Sequence, residues 1–129
     1  MKMKKNVVKE KSFAFAIRVV KLRKYLQEKQ EYDISRQLLR SGTAIGALIR
    51  EAEFAESVAD FVHKLSIAQK EANESAYWLD ILVNTNYIEQ DAYESIKHDI
   101  DELMKLLTSI IKKAKDNGEW RKKVVMINE

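Results

Sequence analysis

Apolar residues recur at spacings of three and four along four long stretches of this sequence, and this periodicity limits the fold more than any other feature. Such spacing places the apolar side chains on one face of an α-helix. The chain also contains no proline, which argues against a fold built from many turns. We therefore predict an all-α protein with four helices, at residues 12–30, 34–55, 59–83 and 90–115.

The predicted helices are joined by connections of only a few residues, which force neighbouring helices to run antiparallel. The expected architecture is an up-down four-helix bundle, with residues 1–129 forming a single domain. Gly118 is predicted to stop the fourth helix, so that residues 116–129 make a short tail.

Polar residues mark the expected starts of the first three helices. Ser12 and Asp33 stand where an N-cap side chain would accept a hydrogen bond from the first turn of a helix. Ser57 followed by Asp60 resembles a capping box in which aspartate replaces glutamate.

The first helix carries two neighbouring apolar stripes. One consists of Phe13, Ile17 and Val20, and the other consists of Phe15, Val19, Leu22 and Leu26. A face this wide packs against two neighbours, as happens within a bundle or between the subunits of an oligomer.

Two glycines lie four residues apart inside the second predicted helix, at Gly42 and Gly46. Glycine inside a helix costs about 1 kcal/mol relative to alanine, so it needs a compensating benefit. Close approach of another helix backbone is such a benefit. A phosphate-binding loop is the alternative, but no strand precedes this segment and no Gly-Lys-Ser/Thr follows it.

Two carboxylates of the third helix, Glu71 and Glu74, lie on a stripe that is otherwise apolar. A partly buried carboxylate requires a cation or a hydrogen-bond donor. Arg36, Arg40 and Arg50 on the second helix are the candidate partners, within the subunit or across an interface. An acid/base pair is the alternative function, but the sequence offers no nucleophile to accompany it.

Tyr77 and Trp78 follow these carboxylates on the third helix. Amphipathic aromatic residues of this kind are enriched at protein interfaces, and they can also stack on nucleic-acid bases. Beside a leucine-rich seam, we interpret them as core or interface residues.

Charge is segregated along the chain. Residues 80–102 hold seven acids and one lysine, whereas residues 1–24 hold nine basic residues and one glutamate. The basic residues are candidate nucleic-acid contacts: Lys2, Lys4, Lys5, Lys9, Lys11, Arg18, Lys21, Arg23 and Lys24. They would bind phosphates without sequence specificity, or pair with acidic neighbouring helices or subunits.

Several classes of function find no support. The chain has no cysteine, and neither His63 nor His98 has the glutamate three residues earlier that a di-metal bundle requires. We expect no catalytic residue, no metal and no cofactor, and hence no enzyme. We also expect no secretory signal and no membrane contact, which together with the absent cysteines favours the cytoplasm.

The run from Ile34 to Ala47, with its central Arg-Ser-Gly-Thr-Ala-Ile-Gly-Ala, resembles the most distinctive stretch of a bacterial protein family. Its members are four-helix-bundle proteins encoded within 23S rRNA intervening sequences. The likeness covers residues 12–115 and extends to further motifs: Glu51-Ala52, Asp60-Phe61, Lys64-Leu65, Ala68 to Ala72, Glu74 and Tyr77-Trp78-Leu79. Leu48 departs from it, because the family is expected to have an asparagine there.

This resemblance implies a ring-like homopentamer and a link to RNA through genomic location. A related branch, the accessory proteins of diversity-generating retroelements, implies RNA or DNA and a reverse transcriptase as partners. The expected function is a non-enzymatic, oligomeric, RNA-associated accessory protein. The alternative is a scaffold or protein-docking module without a nucleic-acid role.

Overall fold

The fold of this chain, taken from a computed structural model, is described over residues 2–117, with side chains described from Val7 onward. It consists of four helices: α1 (Lys2–Glu28), α2 (Asp33–Ala52), α3 (Val58–Asn84) and α4 (Gln90–Asp116). No strand occurs within this range, which confirms the all-α class. The predicted stop at Gly118 and the tail after it lie outside the described residues.

The helices form a closed up-down bundle. Each helix packs against the next one in the chain and α4 packs against α1, whereas over the described residues no Cα atom of α1 lies within 8 Å of one in α3, and none of α2 within 8 Å of one in α4. Between α1 and α4, Arg18 pairs with Asp99 and Lys11 pairs with Glu102, so the two helices run antiparallel. The predicted up-down four-helix bundle is confirmed, and α1 and α3 occupy diagonal corners of it.

The core is built from the apolar seams of all four helices. Its largest fully buried side chains are Val8, Phe15, Val19, Leu26, Leu38, Ile45, Leu79, Leu82, Ile100, Leu103 and Leu107. Of the two stripes on α1, the one that contains Phe15, Val19 and Leu26 enters this core. The other stripe faces away from it.

Helix α1 begins about ten residues before the predicted start, so the prediction that Ser12 is an N-cap is wrong. Ser12 is buried inside the helix, where its hydroxyl donates to the carbonyl of Lys9 at 3.0 Å. From the sequence alone, a serine whose hydroxyl bonds to a carbonyl of the preceding helical turn cannot be distinguished from an N-cap serine. Val8 lies one turn before Ser12 and is buried, so the core-facing stripe also continues toward the N-terminus.

The prediction that Asp33 caps α2 is also wrong, because Asp33 is the first residue of the helix and Tyr32 before it makes no side-chain cap bond. The carboxylate of Glu31 takes that role instead. It accepts the backbone N–H of Ile34 at 2.9 Å and that of Ser35 at 2.6 Å.

The cap of α3 is confirmed. The hydroxyl of Ser57 accepts the backbone N–H of Asp60 at 3.0 Å. The carboxylate of Asp60 accepts the backbone N–H of Glu56, the residue before the cap, at 3.2 Å, and not that of Ser57 as in a standard capping box.

Candidate functional site

The basic residues of α1 face the acidic residues of α4 across one seam of the bundle. Arg18 Nη1 lies 2.7 Å from Asp99 Oδ2, and its Nη2 donates to the hydroxyl of Ser95 at 3.1 Å. Lys11 Nζ lies 3.1 Å from Glu102 Oε2. The charge segregation seen in the sequence therefore pairs two neighbouring helices, one of the two outcomes that the sequence left open.

The other candidate cations of α1 divide into four groups. Lys9 pairs with Glu53 at the end of α2, at 3.0 Å. Lys21 and Lys24 are exposed and have no ion pair within residues 7–117. Arg23 is half-buried, and its Nε has no hydrogen-bond partner in the same range. The remaining candidates lie in the first turns of α1, with side chains outside the description: Lys2, Lys4 and Lys5.

The two glycines of α2 face α1. A Cβ atom added to Gly42 would lie 2.9 Å from Val19 Cγ2 and 3.1 Å from Val19 Cγ1. A Cβ atom added to Gly46 would meet its nearest neighbour, Ser12 Oγ, at an ordinary 3.4 Å. The two positions thus differ, because only Gly42 lies where a side chain would collide with the core of α1.

Arg40 joins the two carboxylates of α3. Its Nη1 donates to Glu71 Oε2 at 3.3 Å and lies 3.2 Å from Glu71 Oε1, while its Nη2 donates to Glu74 Oε2. The contact with Glu71 Oε1 is one of distance alone, since that buried oxygen has no hydrogen bond within the described residues. The two carboxylates raise the pKa of Arg40 above its usual value. They share one guanidinium and carry an excess of one negative charge.

Trp78 and Tyr77 extend this network outward on α3. The indole N–H of Trp78 donates to Glu74 Oε2 at 3.0 Å, and the Tyr77 ring meets the indole edge-on with centroids 5.1 Å apart. The pKa of Glu74 is lowered, first by the donation from Trp78 and then by that from Arg40. Trp78 is half-buried and Tyr77 is exposed, so Tyr77 is the one available to a partner.

Trp78→Phe is expected to flatten the pH dependence of stability in acid. Because the pKa of Glu74 in the folded protein lies below its ordinary value of 4.5, the charged carboxylate stabilises the fold above that pH. This stability is lost as the pH falls through the lowered pKa. Removing the indole N–H brings the pKa of Glu74 back toward 4.5, which NMR titration of its side-chain carboxyl would show.

Tyr77→Phe is the matched control for this prediction. It keeps a ring against Trp78 and leaves both donors to Glu74 in place. If the pKa of Glu74 stays lowered in Trp78→Phe, the hydrogen bond from Arg40 alone is sufficient to lower it.

The other two candidate arginines do not reach the carboxylates. Arg36 is exposed and has no ion pair within the described residues. The guanidinium carbon of Arg50 lies 5.5 Å from the centroid of the Phe13 ring, a cation–π distance. Arg50 also lacks a carboxylate within 4.0 Å in the described range, so its charge is uncompensated there.

An exposed apolar row runs along the outside of α1. Phe13 is 54%, Ile17 is 41% and Val20 is 38% exposed, although all three are large hydrophobic side chains. These residues, which we call the α1 patch, form the second apolar stripe that the sequence pattern predicts for α1. The sequence did not single them out as site residues. The sequence signal that could have identified them is the presence of two apolar stripes on α1. One stripe is enough to pack this helix into the bundle core, so the second is free to contact a partner.

A buried hydroxyl pair beside Arg40 was also missed. Ser41 Oγ and Ser75 Oγ lie 2.8 Å apart, and both side chains are buried between α2 and α3. Ser75 donates to the carbonyl of Glu71 at 2.9 Å, which leaves Ser41 to donate to Ser75. Serine occurs so often in helices that neither residue could be recognised from its type alone.

The described residues do not bring together the groups that metal or membrane chemistry would require. No group of three or more histidine, aspartate or glutamate side chains over this range is placed to hold a metal ion. Within the same limits, none of the helices combines the length and the apolar character needed to cross a lipid bilayer. The features that remain are contact surfaces: the α1 patch, the aromatic pair on α3, and the unpaired cations of α1.

Comparison with known proteins agrees with this fold. The family model described as 23S rRNA-intervening sequence protein matches residues 4–109. A crystal structure of a protein with unknown function, from the S23 ribosomal protein family of Bacteroides thetaiotaomicron, is 59% identical in sequence and superposes with a TM-score of 0.83. The match covers 84% of this chain and 98% of that one. No curated protein matches the chain. This chain therefore belongs to the 23S rRNA-intervening sequence protein family.

Proposed function

We propose that this protein acts by binding and not by catalysis, as a subunit of a homo-oligomer whose α1 patch is buried between copies. The observation that carries this proposal is the exposure of Phe13, Ile17 and Val20 in one continuous row. Single exposed apolar residues are ordinary on protein surfaces, but a contiguous apolar row bordered by polar residues is typical of an interaction site.

The rest of the bundle supports this reading of the row. The core-facing stripe of α1 is already buried in the bundle core, so the fold itself does not require the α1 patch. Exposed phenylalanine and isoleucine favour burial against a partner by about 25 cal/mol for each Å² of apolar surface removed from water. The family resemblance makes five subunits the expected number.

Ile17→Asp is expected to reduce the mass of the assembly to that of one subunit, because it places a charge in the centre of the α1 patch. Light scattering coupled to gel filtration measures this mass directly. Ile17 is outside the bundle core, so the helical circular dichroism should be unchanged.

His63→Asp is the matched control for Ile17→Asp. His63 is exposed on α3, the helix diagonal to α1 in the bundle, and its replacement should leave the wild-type mass unchanged. Wild-type protein that remains a single subunit at high concentration would refute the proposal.

RNA association is the second candidate function, and two observations favour it. The description of the matching family names 23S rRNA. Lys21 and Lys24 are exposed on α1 without an ion pair in the described range, whereas Lys9, Lys11 and Arg18 are paired with acids. Lys21 and Lys24 are therefore the α1 cations most available to phosphates among those whose side chains are described.

Lys21→Glu/Lys24→Glu is expected to weaken RNA binding by at least tenfold at low salt, since two phosphate contacts become repulsive. Lys105→Glu/Lys112→Glu on α4 is the control, because it changes the net charge by the same amount at two other exposed positions. Gel-shift titration with 23S rRNA fragments over a salt series measures both. Equal loss in the two variants would show an effect of net charge alone, and no wild-type binding at low salt would remove the RNA candidate.

A further inference from the structure

Two lysines and one tyrosine form a row at the end of α1. Lys21 and Tyr25 are exposed one helical turn apart, and Lys29 follows the last residue of the helix. The backbone N–H of Lys29 donates to the carbonyl of Tyr25 at 3.2 Å, so the helical turn continues as far as this residue. Residues four apart in a helix share a face, which places one ammonium group on each side of the phenol ring. We call these three residues the Lys-Tyr-Lys row.

The Lys-Tyr-Lys row faces the α4 side of α1, whereas the α1 patch faces the α2 side. Arg18, which precedes Lys21 by one turn on the same face, pairs with Asp99 of α4. Phe13 of the α1 patch lies instead against Arg50 of α2. The row is therefore a separate surface, and burial of the α1 patch between copies does not by itself cover it.

Neither lysine of the row is neutralised by an acid. Over residues 7–117, no carboxylate lies within 4.0 Å of the ammonium group of Lys21 or Lys29. Lys29 Nζ lies 5.3 Å from the centroid of the Tyr25 ring, and Tyr25 is still 43% exposed. An exposed ring between two unneutralised cations combines a stacking surface with phosphate contacts. The two lysines repel a cationic peptide, so their charge favours a polyanion.

The aromatic ring favours one class of polyanion. In an RNA duplex the base faces are covered by neighbouring bases, so aromatic side chains stack on bases in single-stranded loops, bulges and ends. We infer that the Lys-Tyr-Lys row binds single-stranded RNA, an inference that rests on the RNA candidate above. One base stacks on the exposed part of the Tyr25 ring, and Lys21 and Lys29 contact the phosphates on its two sides.

The acids of the neighbouring helix limit where this strand can lie. Because α1 and α4 are antiparallel neighbours, the end of α1 lies beside the start of α4. That start carries Glu89, Asp91 and Glu94. These carboxylates repel phosphates, so the strand is kept on the α1 side of the boundary, where the two lysines lie.

The experiment compares an RNA oligonucleotide without base-paired structure with an RNA duplex of the same length, by fluorescence anisotropy at low salt. Tyr25→Ala is expected to weaken single-strand binding by about fivefold or more and to leave duplex binding unchanged, because one stacked base is lost. Tyr25→Phe keeps the ring and should bind as the wild type does. Tyr32→Ala is the matched control, since Tyr32 is 48% exposed at the same end of the bundle but outside the row. It should leave binding unchanged.

The salt dependence of binding separates the ring from the lysines. Tyr25→Ala removes no charge, so the slope of log affinity against log salt concentration should remain that of the wild type. Lys21→Ala/Lys29→Ala removes two phosphate contacts, so the magnitude of this slope should fall by about 1.4. An unchanged slope in the double variant would mean that the two lysines do not contact phosphates, which overturns the inference.

The other outcomes separate this inference from the RNA candidate. Single-strand binding that Tyr25→Ala leaves intact, or that Tyr25→Phe weakens as much as Tyr25→Ala, overturns stacking at this position and leaves the RNA candidate standing. Wild-type protein that binds the duplex more tightly than the single strand has the same meaning. Wild-type protein that binds neither RNA overturns both. Helical circular dichroism checks the fold of each variant, and Tyr25→Leu replaces Tyr25→Ala should that chain not fold.

Discussion

Gly42→Ala is expected to destabilise the bundle by about 1–2 kcal/mol, although alanine is the better helix former by about 1 kcal/mol. The added methyl group would lie 2.9 Å and 3.1 Å from the two γ-carbons of Val19. Val19 is fully buried, and its β-branched side chain is confined to few rotamers, so it cannot turn away. Helices α1 and α2 would have to separate, and the overpacking outweighs the gain in helix propensity.

Gly46→Ala is the matched comparison, and it is expected to stabilise the protein by up to about 1 kcal/mol. The nearest atom to the new methyl group is Ser12 Oγ at 3.4 Å, followed by backbone atoms of Ser12 at 3.6 Å. These are ordinary van der Waals distances. The same substitution one helical turn apart therefore has opposite signs, which chemical denaturation of the two variants would show.

A third variant tests the cause at Gly42. Val19→Ala removes both γ-carbons that the new methyl group would meet, at the cost of a cavity in the core. In Val19→Ala/Gly42→Ala, the methyl group enters that cavity, so the combined loss should be smaller than the sum of the two single losses. Strictly additive losses would mean that the cost at Gly42 does not come from Val19.

Oligomer formation complicates such measurements, because a variant that dissociates also loses stability by mass action. The comparison is therefore made in the Ile17→Asp background, where the assembly is expected to be a single subunit. Gly42, Gly46 and Val19 all lie on the side of α1 and α2 where these helices meet, and not in the α1 patch.

The helices could be predicted from the sequence because each has a continuous apolar seam. The ends of the helices could be predicted only where the residue that resembles an N-cap is one. Ser57 is such a residue, and its predicted cap bond was confirmed. Ser12 has the same residue type, yet it bonds to the carbonyl of Lys9 inside a longer helix. Residue type and spacing alone do not distinguish a serine that begins a helix from one that is buried within it.

The candidate site shows a similar division. The sequence limited the partners of Glu71 and Glu74 to three arginines on the second helix, but it could not choose Arg40. That choice depends on how far α2 is shifted along α3, which is set by packing between helices. The pairing of Lys11 and Arg18 with α4 depends in the same way on which helices become neighbours.

Glu31→Ala is expected to cost about 2 kcal/mol of stability, the largest effect that we expect from a residue at a helix end. The Glu31 side chain accepts two backbone N–H groups from the first turn of α2, and the residue is only 7% exposed. One of these donors belongs to Ser35, which is fully buried and cannot turn to water for a replacement. A buried N–H group left without an acceptor costs about 1–3 kcal/mol.

Asp33→Ala is the control for this prediction, because it removes the acidic residue that the sequence pattern indicated as the cap. Asp33 is exposed and its side chain makes no cap bond, so its loss should change stability by no more than about 0.5 kcal/mol. Glu31→Gln should fall between the two variants, since its amide keeps one acceptor oxygen for two donors. Thermal or urea unfolding of the three variants ranks them, and an equal loss at positions 31 and 33 would mean that helix-dipole charge, and not the two hydrogen bonds of Glu31, holds the start of α2.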